Sequence, residues 1–215
     1  MENTQESKIY LLKKLVIDYV SFIAKRYDLN DETYSSKTKA SDGSFPKHFG
    51  FIPTSLHYNI IDTLLLLYNH IKHTAHGEKH PIYFLDIGCG IGNIVKIADF
   101  IGFWAYGLEY NTKIYNVAKK LIGKRNAIKG DMLTFKNYHK YDVLYYYQPM
   151  PDYNLMQDFA IKLAKKMKVG TYVIPNGDNS FGKMKSFQSI HLGEMQIYQK
   201  VSEVKEEINN AKNSL

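Results

Sequence analysis

Residues 85–93 read LDIGCGIGN, with glycine at every second position from Gly88 to Gly92. Glycine gives up more freedom on folding than any other residue, so three this close weaken any helix or strand. They make a turn instead. The turn follows a short continuous apolar run, IYFLDI at 82–87, and leads into a helical pattern from Asn93 to Ile101. A strand buried on both faces reads as such a run. Strand, bare turn and helix in that order open a βαβ unit, which commits the chain to a parallel sheet with right-handed crossovers.

The alternation continues downstream. FWAYGLE (103–109) is predicted as a second strand, and Thr112 to Ile122 as a helix with Ile114, Val117, Ala118 and Leu121 facing in. Asn126 to Lys129 is a short third strand. Between Asp131 and Tyr141 there is barely room for a helix, so that crossover is short or irregular. YDVLYYY (141–147) is a fourth strand, Pro151 to Met167 a helix closed by Gly170, and TYVIP (171–175) a fifth strand. KSFQSIHL and EMQIYQK flank Gly193 as an antiparallel hairpin. The expected fold class is α/β: a doubly wound, Rossmann-like seven-stranded sheet, mostly parallel, with a C-terminal antiparallel hairpin and N-terminal helices.

Ahead of the sheet, residues 9–27 space Ile9, Leu12, Val16, Val20, Ile23 and Tyr27 as the apolar stripe of an amphipathic helix. Asp18 and a modestly charged polar face argue against a membrane surface. The stripe is expected to pack on the domain or on a second subunit, which leaves monomer and homodimer open. Residues 28–50 are polar and rich in turn formers, and read as a loop or lid. Thr54 or Ser55 can cap the next helix, whose buried stripe is Leu56, Ile60, Leu64 and Leu67. The expected organisation is an N-terminal helix and loop (1–50), a sheet domain (51–200) and a polar tail (201–215).

Composition narrows the setting. The chain of 215 residues has one cysteine, which rules out an internal disulfide and fits a reducing cytoplasm. The opening MENTQESK is too polar for a signal peptide, and no apolar run reaches the roughly 20 residues that cross a bilayer. The formal net charge is +7, a weak footprint of an acidic partner such as nucleic acid. Arg26 and Arg125 are its only arginines, however, and arginine is the side chain whose planar fork reads phosphate and guanine.

The turn itself carries the chemistry. Ligands of doubly wound sheets bind at the carboxyl ends of the strands, where this turn lies. A dinucleotide turn has the pattern G-x-G-x-x-G; here the third glycine position is Asn93. The pattern is instead D-x-G-x-G-x-G, with Asp86 two residues before Gly88. A carboxylate there opposes a pyrophosphate and suits an ammonium group. Glu109 ends the second strand about twenty residues on, where an acid accepts from ribose hydroxyls. Asp131 ends the third strand and can accept from an adenine amino group, with Tyr110 and Met132 flanking the ring. Taken singly, Glu109 also reads as a solvated strand end and Asp131 as a turn residue. Together the three acids describe a phosphate-free nucleoside bearing a cation, which S-adenosyl-L-methionine is.

Residues 82–132 resemble the cofactor half of class I (seven-strand) S-adenosylmethionine-dependent methyltransferases. LDIGCGIGN (Gly88, Cys89, Gly90, Gly92, Asn93) is similar to their first motif, Glu109 to their second-strand acid, and Gly130-Asp131-Met132 to the acid that faces adenine. The resemblance implies a methyltransferase that binds S-adenosyl-L-methionine, releases S-adenosyl-L-homocysteine and needs no metal. It also implies that the fourth strand's end faces the transferable methyl group. Three successive tyrosines there cannot all point one way: alternation sends Tyr146 opposite to Tyr145 and Tyr147. Tyr147 and Gln148 are candidate site residues, with Tyr145 second. The amino-methylating enzymes of nucleic acids carry D/N-P-P-Y/F at this point, and Tyr147-Gln148-Pro149-Met150 departs from it.

FIPTS (51–55), LDIGCGIGN and a fourth strand ending in tyrosine-x-proline are also similar to small prokaryotic-type seven-strand protein-lysine methyltransferases. That likeness implies Pro53 and Thr54 beside the cofactor carboxylate and Tyr147 at the acceptor channel. The leading acceptor is a protein lysine amine; RNA, DNA or a small molecule is the alternative, and a catalytically silent cofactor-binding module a third. Lysine must lose its proton first, and burial beside a sulfonium lowers its pKa. Asp152 reads more readily as a helix cap than as an acid of the site.

The run His70, His73, His76 and His80 has helical spacing, but it closes a helix, where histidines meet the negative dipole end. It is not taken as a metal site. Cys89 is expected to tuck into the sheet rather than act as a nucleophile, and His48 and Phe49 to lie near the cofactor by position alone.

Overall fold

The structure, a computed structural model, describes residues 58–74, 80–147 and 152–204, with the helical positions Lys14, Asp18, Phe22, Lys25 and Arg26. Those helical positions are all exposed and lie on the polar side of the expected N-terminal helix. Its apolar stripe, the lid at 28–50, and Pro53, Thr54, Leu56, His48, Phe49, His76 and Gln148 lie outside the described residues, as does the tail from residue 205.

Helix α1 (Tyr58–Thr74) leads into β1 (Tyr83–Ile87), α2 (Asn93–Ile101), β2 (Trp104–Glu109), α3 (Thr112–Ile122) and β3 (Ala127–Lys129). A single 3-10 turn at Tyr138–Lys140 fills the short crossover to β4 (Val143–Tyr147). Helix α4 (Tyr153–Lys166), β5 (Tyr172–Asn176), a second 3-10 turn (Ser180–Lys183), β6 (Phe187–Ile190) and β7 (Ile197–Lys200) follow. The seven strands form one sheet in the order β3-β2-β1-β4-β5-β7-β6. Strands β1 to β5 are parallel, and β7 is antiparallel to both of its neighbours. This is the mostly parallel doubly wound sheet, closed by an antiparallel hairpin, that the sequence implied.

Alternation of side chains splits the core into two layers. Phe84, Val143, Tyr145, Tyr172 and Ile174 face one side, where Ile60, Ile61, Leu64, Leu67 and Ile71 of α1 and Ile94, Ile97 and Ala98 of α2 cover them. Leu85, Ile87, Leu144, Tyr146 and Val173 face the other, under Met156, Phe159, Ala160 and Leu163 of α4. Each fully buried aliphatic side chain contributes about 2 kcal/mol, so the stripes rather than helix propensity hold the helices in place. On α3 the stripe is Ile114, Val117, Ala118 and Ile122; Leu121 is half-buried, one position from the expected end. Asn111 caps that helix by accepting from Lys113 N and Ile114 N, and Asp152 caps α4 by accepting from Asn154 N at 2.8 Å and Leu155 N at 3.0 Å.

The strand order reverses between β1 and β4: the chain leaves β1 toward β2 and β3, and leaves β4 toward β5. A crevice forms at the carboxyl ends of such a pair, because the two crossovers diverge there.

Candidate functional site

The glycine turn sits on that crevice. Gly88, Gly90 and Gly92 have φ of 79°, 57° and 89°, a region that side chains with a Cβ rarely adopt. The turn is fastened to its neighbour by its own donors. Gly88 N and Cys89 N both donate to Leu108 O, at 2.8 and 3.0 Å, and Gly92 N donates to Cys89 O at 2.9 Å. Gly90 N donates to the Glu109 carboxylate at 3.0 Å. A phosphate-binding turn needs those N–H groups aimed at the ligand. Here four of them are spent inside the protein.

Gly92 has a second reason to be bare. A Cβ there would come within 2.5 Å of the Ile122 side chain, so its missing side chain serves the contact between α2 and α3. Gly107 on β2 plays the same part for Cys89: an added Cβ would lie 2.5 Å from Sγ. Cys89 is buried, and burial, with Asp86 and Glu109 nearby, pushes its thiol pKa well up. A thiol kept protonated is a poor nucleophile.

Two buried acids stand at the ends of β1 and β2, beside the turn. Asp86 is 3% exposed and sits beside Tyr145 across the β1–β4 pairing. Burial first, and the Glu109 charge second, raise its carboxyl pKa well above the ordinary 3.8. Glu109 is 8% exposed, and its Oε1 accepts from Asn111 N at 2.6 Å while Oε2 holds Gly90. Burial raises its pKa too; the N–H donors of Asn111, Gly90 and Tyr110 and the Lys129 ammonium partly offset that rise. At the turn's far side Asn93 is nearly buried, and its Nδ2 has no partner among the described residues. Two buried carboxylates and an orphaned amide fit a cationic ligand with hydrogen-bonding groups, and repel a pyrophosphate.

The third acid lies farther out. Asp131 Oδ1 accepts from Leu133 N at 2.8 Å, so one of its oxygens closes a turn. Met132 is buried among Leu108, Ile87 and Tyr138, and the Tyr138 hydroxyl donates to Met132 O at 2.8 Å. The Tyr110 ring is half exposed, the Lys129 ammonium lies 5.0 Å from its centre, and the same ammonium donates to Tyr110 O.

At the fourth strand the alternation is as expected. Tyr145 and Tyr147 lie on the layer shared with Asp86, and Tyr146 on the other. Burial and the Asp86 charge push the Tyr145 phenol up, so it stays protonated. Tyr147 is half-buried and pairs with Asn176 of β5. The Tyr146 hydroxyl donates to Asp178 Oδ2 at 2.5 Å, and Ser180 N and Oγ both donate to Asp178 Oδ1. Sequence reading missed this lock, because Asp178 stands alone in a glycine-containing loop with no motif around it. The histidines do other work: the His70 ring packs edge-on to Tyr172, and His73 Nδ1 bonds Asn69 O at 2.6 Å.

Neither a family model nor a curated protein sequence matches the chain. Solved structures do. An RNA methyltransferase from Salinibacter ruber in complex with S-adenosyl-L-homocysteine is 18% identical, over 70% of this chain and 95% of that one, with a TM-score of 0.49. Magnesium protoporphyrin IX methyltransferase from Synechocystis PCC 6803 with bound SAM is 14% identical, over 87% and 96%, with a TM-score of 0.49. The sugar N-methyltransferase KedS8 from Streptoalloteichus is 14% identical, over 61% and 56%, with a TM-score of 0.45.

Proposed function

We propose that the protein is an S-adenosyl-L-methionine-dependent methyltransferase whose acceptor is an amine, in the first instance a lysine of another protein. One observation carries the cofactor reading. A glycine turn at the sheet's switch point spends four of its N–H groups inside the protein and has two buried acids, Asp86 and Glu109, beside it. Such a site favours a cation-bearing nucleoside without phosphates.

In this reading Asp86 meets the α-ammonium, Glu109 the ribose hydroxyls and Asp131 the adenine amino group. Asn93 offers its unpartnered amide from the turn, and Tyr110 and Met132 border the base. Pro53 and Thr54 are assigned to the cofactor carboxylate from the sequence alone. The bound cofactor supplies a methyl group activated by positive sulfur. The remaining tasks are alignment and delivery of an unprotonated acceptor. This reading gives Tyr147 the mouth of the acceptor channel, with Tyr145 on the same face of the strand and Gln148 assigned from the sequence alone; hydroxyls orient an amine lone pair without acting as strong bases. Desolvation beside a sulfonium lowers the acceptor's pKa toward neutrality. Among the described residues no helix is long and apolar enough to cross a membrane.

The test has two stages. Purified protein is titrated with S-adenosylhomocysteine and with NADH; the reading expects binding of the first and none of the second. It is then incubated with methyl-labelled cofactor and cell lysate. Label released by protease and retained after nuclease supports a protein acceptor. The opposite pattern moves the acceptor to nucleic acid.

A further inference from the structure

A cavity of about 260 Å³ opens beyond the carboxyl end of β5, lined in part by Asn59, Asn176, Gly177, Glu194, Met195 and Gln196. Its walls come from far apart in the chain. Asn59 lies in the first turn of α1, Asn176 and Gly177 end β5, and the others belong to the β6–β7 connection. The connection is seated on α1: a Cβ on Gly193 would touch Thr63 and Leu66 at 3.3 to 3.7 Å. The Asn59 side-chain amide donates to Glu194 Oε2 and so orients that carboxylate. On the opposite wall, Gly177 turns with φ of 82°, and the Tyr146–Asp178–Ser180 bonds hold the loop that follows.

Glu194 is the one charged side chain among the described residues of the lining, and three carboxamides add both acceptors and donors. The chain as a whole has a formal charge of +7, so the pocket opposes the sign of the molecule around it. A phosphate or carboxylate would meet Glu194 at close range. A cation would gain a charge-assisted hydrogen bond.

The position is equally specific. Asn176 pairs with Tyr147, and Tyr145 on the same strand pairs with Asp86. The pocket therefore lies about two strand spacings, or about 10 Å, from the glycine turn. That is too far for the reacting atom and matches a side chain about three residues along an extended peptide, whose residues advance about 3.3 Å each.

We propose that this cavity receives a cationic side chain flanking the methylated residue, so that the acceptor is a basic polypeptide segment. The assignment rests on the methyltransferase reading and adds the substrate's charge to it. Glu194 and Asn59 are the specificity-determining pair, and Tyr147 remains with the reacting amine.

The test uses the full chain saturated with S-adenosylhomocysteine. Two peptides are titrated by calorimetry, each with a central lysine, flanked on both sides by three arginines in one and by three norleucines in the other; a single-stranded RNA of similar length is the third probe. The arginine peptide is expected to bind about five-fold more tightly than the norleucine peptide, the upper end for an ion pair to an exposed carboxylate. Glu194→Gln is expected to reduce that preference to within about two-fold and leave S-adenosylhomocysteine affinity unchanged, because Glu194 is exposed and remote from the turn. Equal affinity for the two peptides, a preference that survives the substitution, or tighter binding of the RNA would overturn the pocket assignment alone. Failure of S-adenosylhomocysteine to bind would sink the methyltransferase reading, and the pocket's role with it.

Discussion

The Glu109 carboxylate bridges two backbone donors, Gly90 N at 3.0 Å and Asn111 N at 2.6 Å, and so ties the turn after β1 to the cap of α3. An acid read from the sequence as a ligand contact is the clasp of the turn in the structure. Removing it should affect both. Glu109→Ala leaves two nearly buried N–H groups without acceptors, at a cost of about 1–3 kcal/mol. S-adenosylhomocysteine affinity should fall at least about ten-fold, equivalent to about 1.4 kcal/mol. Glu109→Gln keeps one acceptor oxygen and should recover part of the stability. Chemical denaturation and calorimetry separate the two effects.

Asp86 and Glu109 both ionise above their ordinary values of 3.8 and 4.5, chiefly because they are buried. The unfolded chain loses these protons near the ordinary values, and the folded chain only at higher pH. In between, the folded state binds more protons, so its stability falls as pH rises. Thermal midpoints of the cofactor-free protein should drop across a window that opens at the ordinary values and closes at the folded ones. Asp86→Asn should flatten that drop. Stabilisation by S-adenosylhomocysteine should grow over the same window, since its ammonium then meets a carboxylate rather than an acid. A drop unchanged in Asp86→Asn would remove Asp86 from this account.

Gly107 and Cys89 share one volume, and a Cβ on the first would lie 2.5 Å from Sγ and 2.8 Å from Cβ of the second. Gly107→Ala should destabilise by about 1–3 kcal/mol through overpacking. Cys89→Ala in the same chain should relieve part of that loss, because the sulfur contact goes and the Cβ contact stays. A double-mutant cycle in urea measures the coupling; strictly additive effects would refute the shared volume.

The neighbouring tyrosines of β4 should behave oppositely. Tyr146→Phe strips the Asp178 carboxylate of a 2.5 Å hydrogen bond in a buried site, and should cost about 1–3 kcal/mol of stability. Tyr147→Phe removes a hydroxyl from a half-buried ring at the strand end, and should lower kcat more than it raises KM while leaving the unfolding midpoint within a degree or two. If Tyr147→Phe turns over normally, the acceptor site lies elsewhere.

These results mark where sequence carries structural information. The strands and helices from residue 83 to 200 were legible because each is a local pattern: a continuous apolar run, a 3.6-residue stripe, a glycine or proline stop. The 3-10 turn at Tyr138–Lys140 followed from a length too short for a helix. Asp86 and Glu109 were legible because both sit at strand ends, a position the pattern itself defines. What escaped were contacts between distant residues. Tyr146 and Asp178 are 32 positions apart, and Asn59 and Glu194 are 135 apart. No local spacing encodes such pairs. The reasons for Gly92 and Gly107 escaped for the same cause: each glycine is bare for the sake of a side chain on another element, Ile122 or Cys89.

Strand β7 comes after β6 in the chain but lies inside it in the sheet, between β5 and β6. A nascent chain that has left the ribosome only as far as residue 190 therefore holds β5 as an open edge, its backbone donors and acceptors still free. The wall formed by residues 194–196 is missing at that stage as well. Completion of this edge of the sheet thus waits on the closing strand, and a prematurely terminated product would offer neighbouring molecules a template for strand addition.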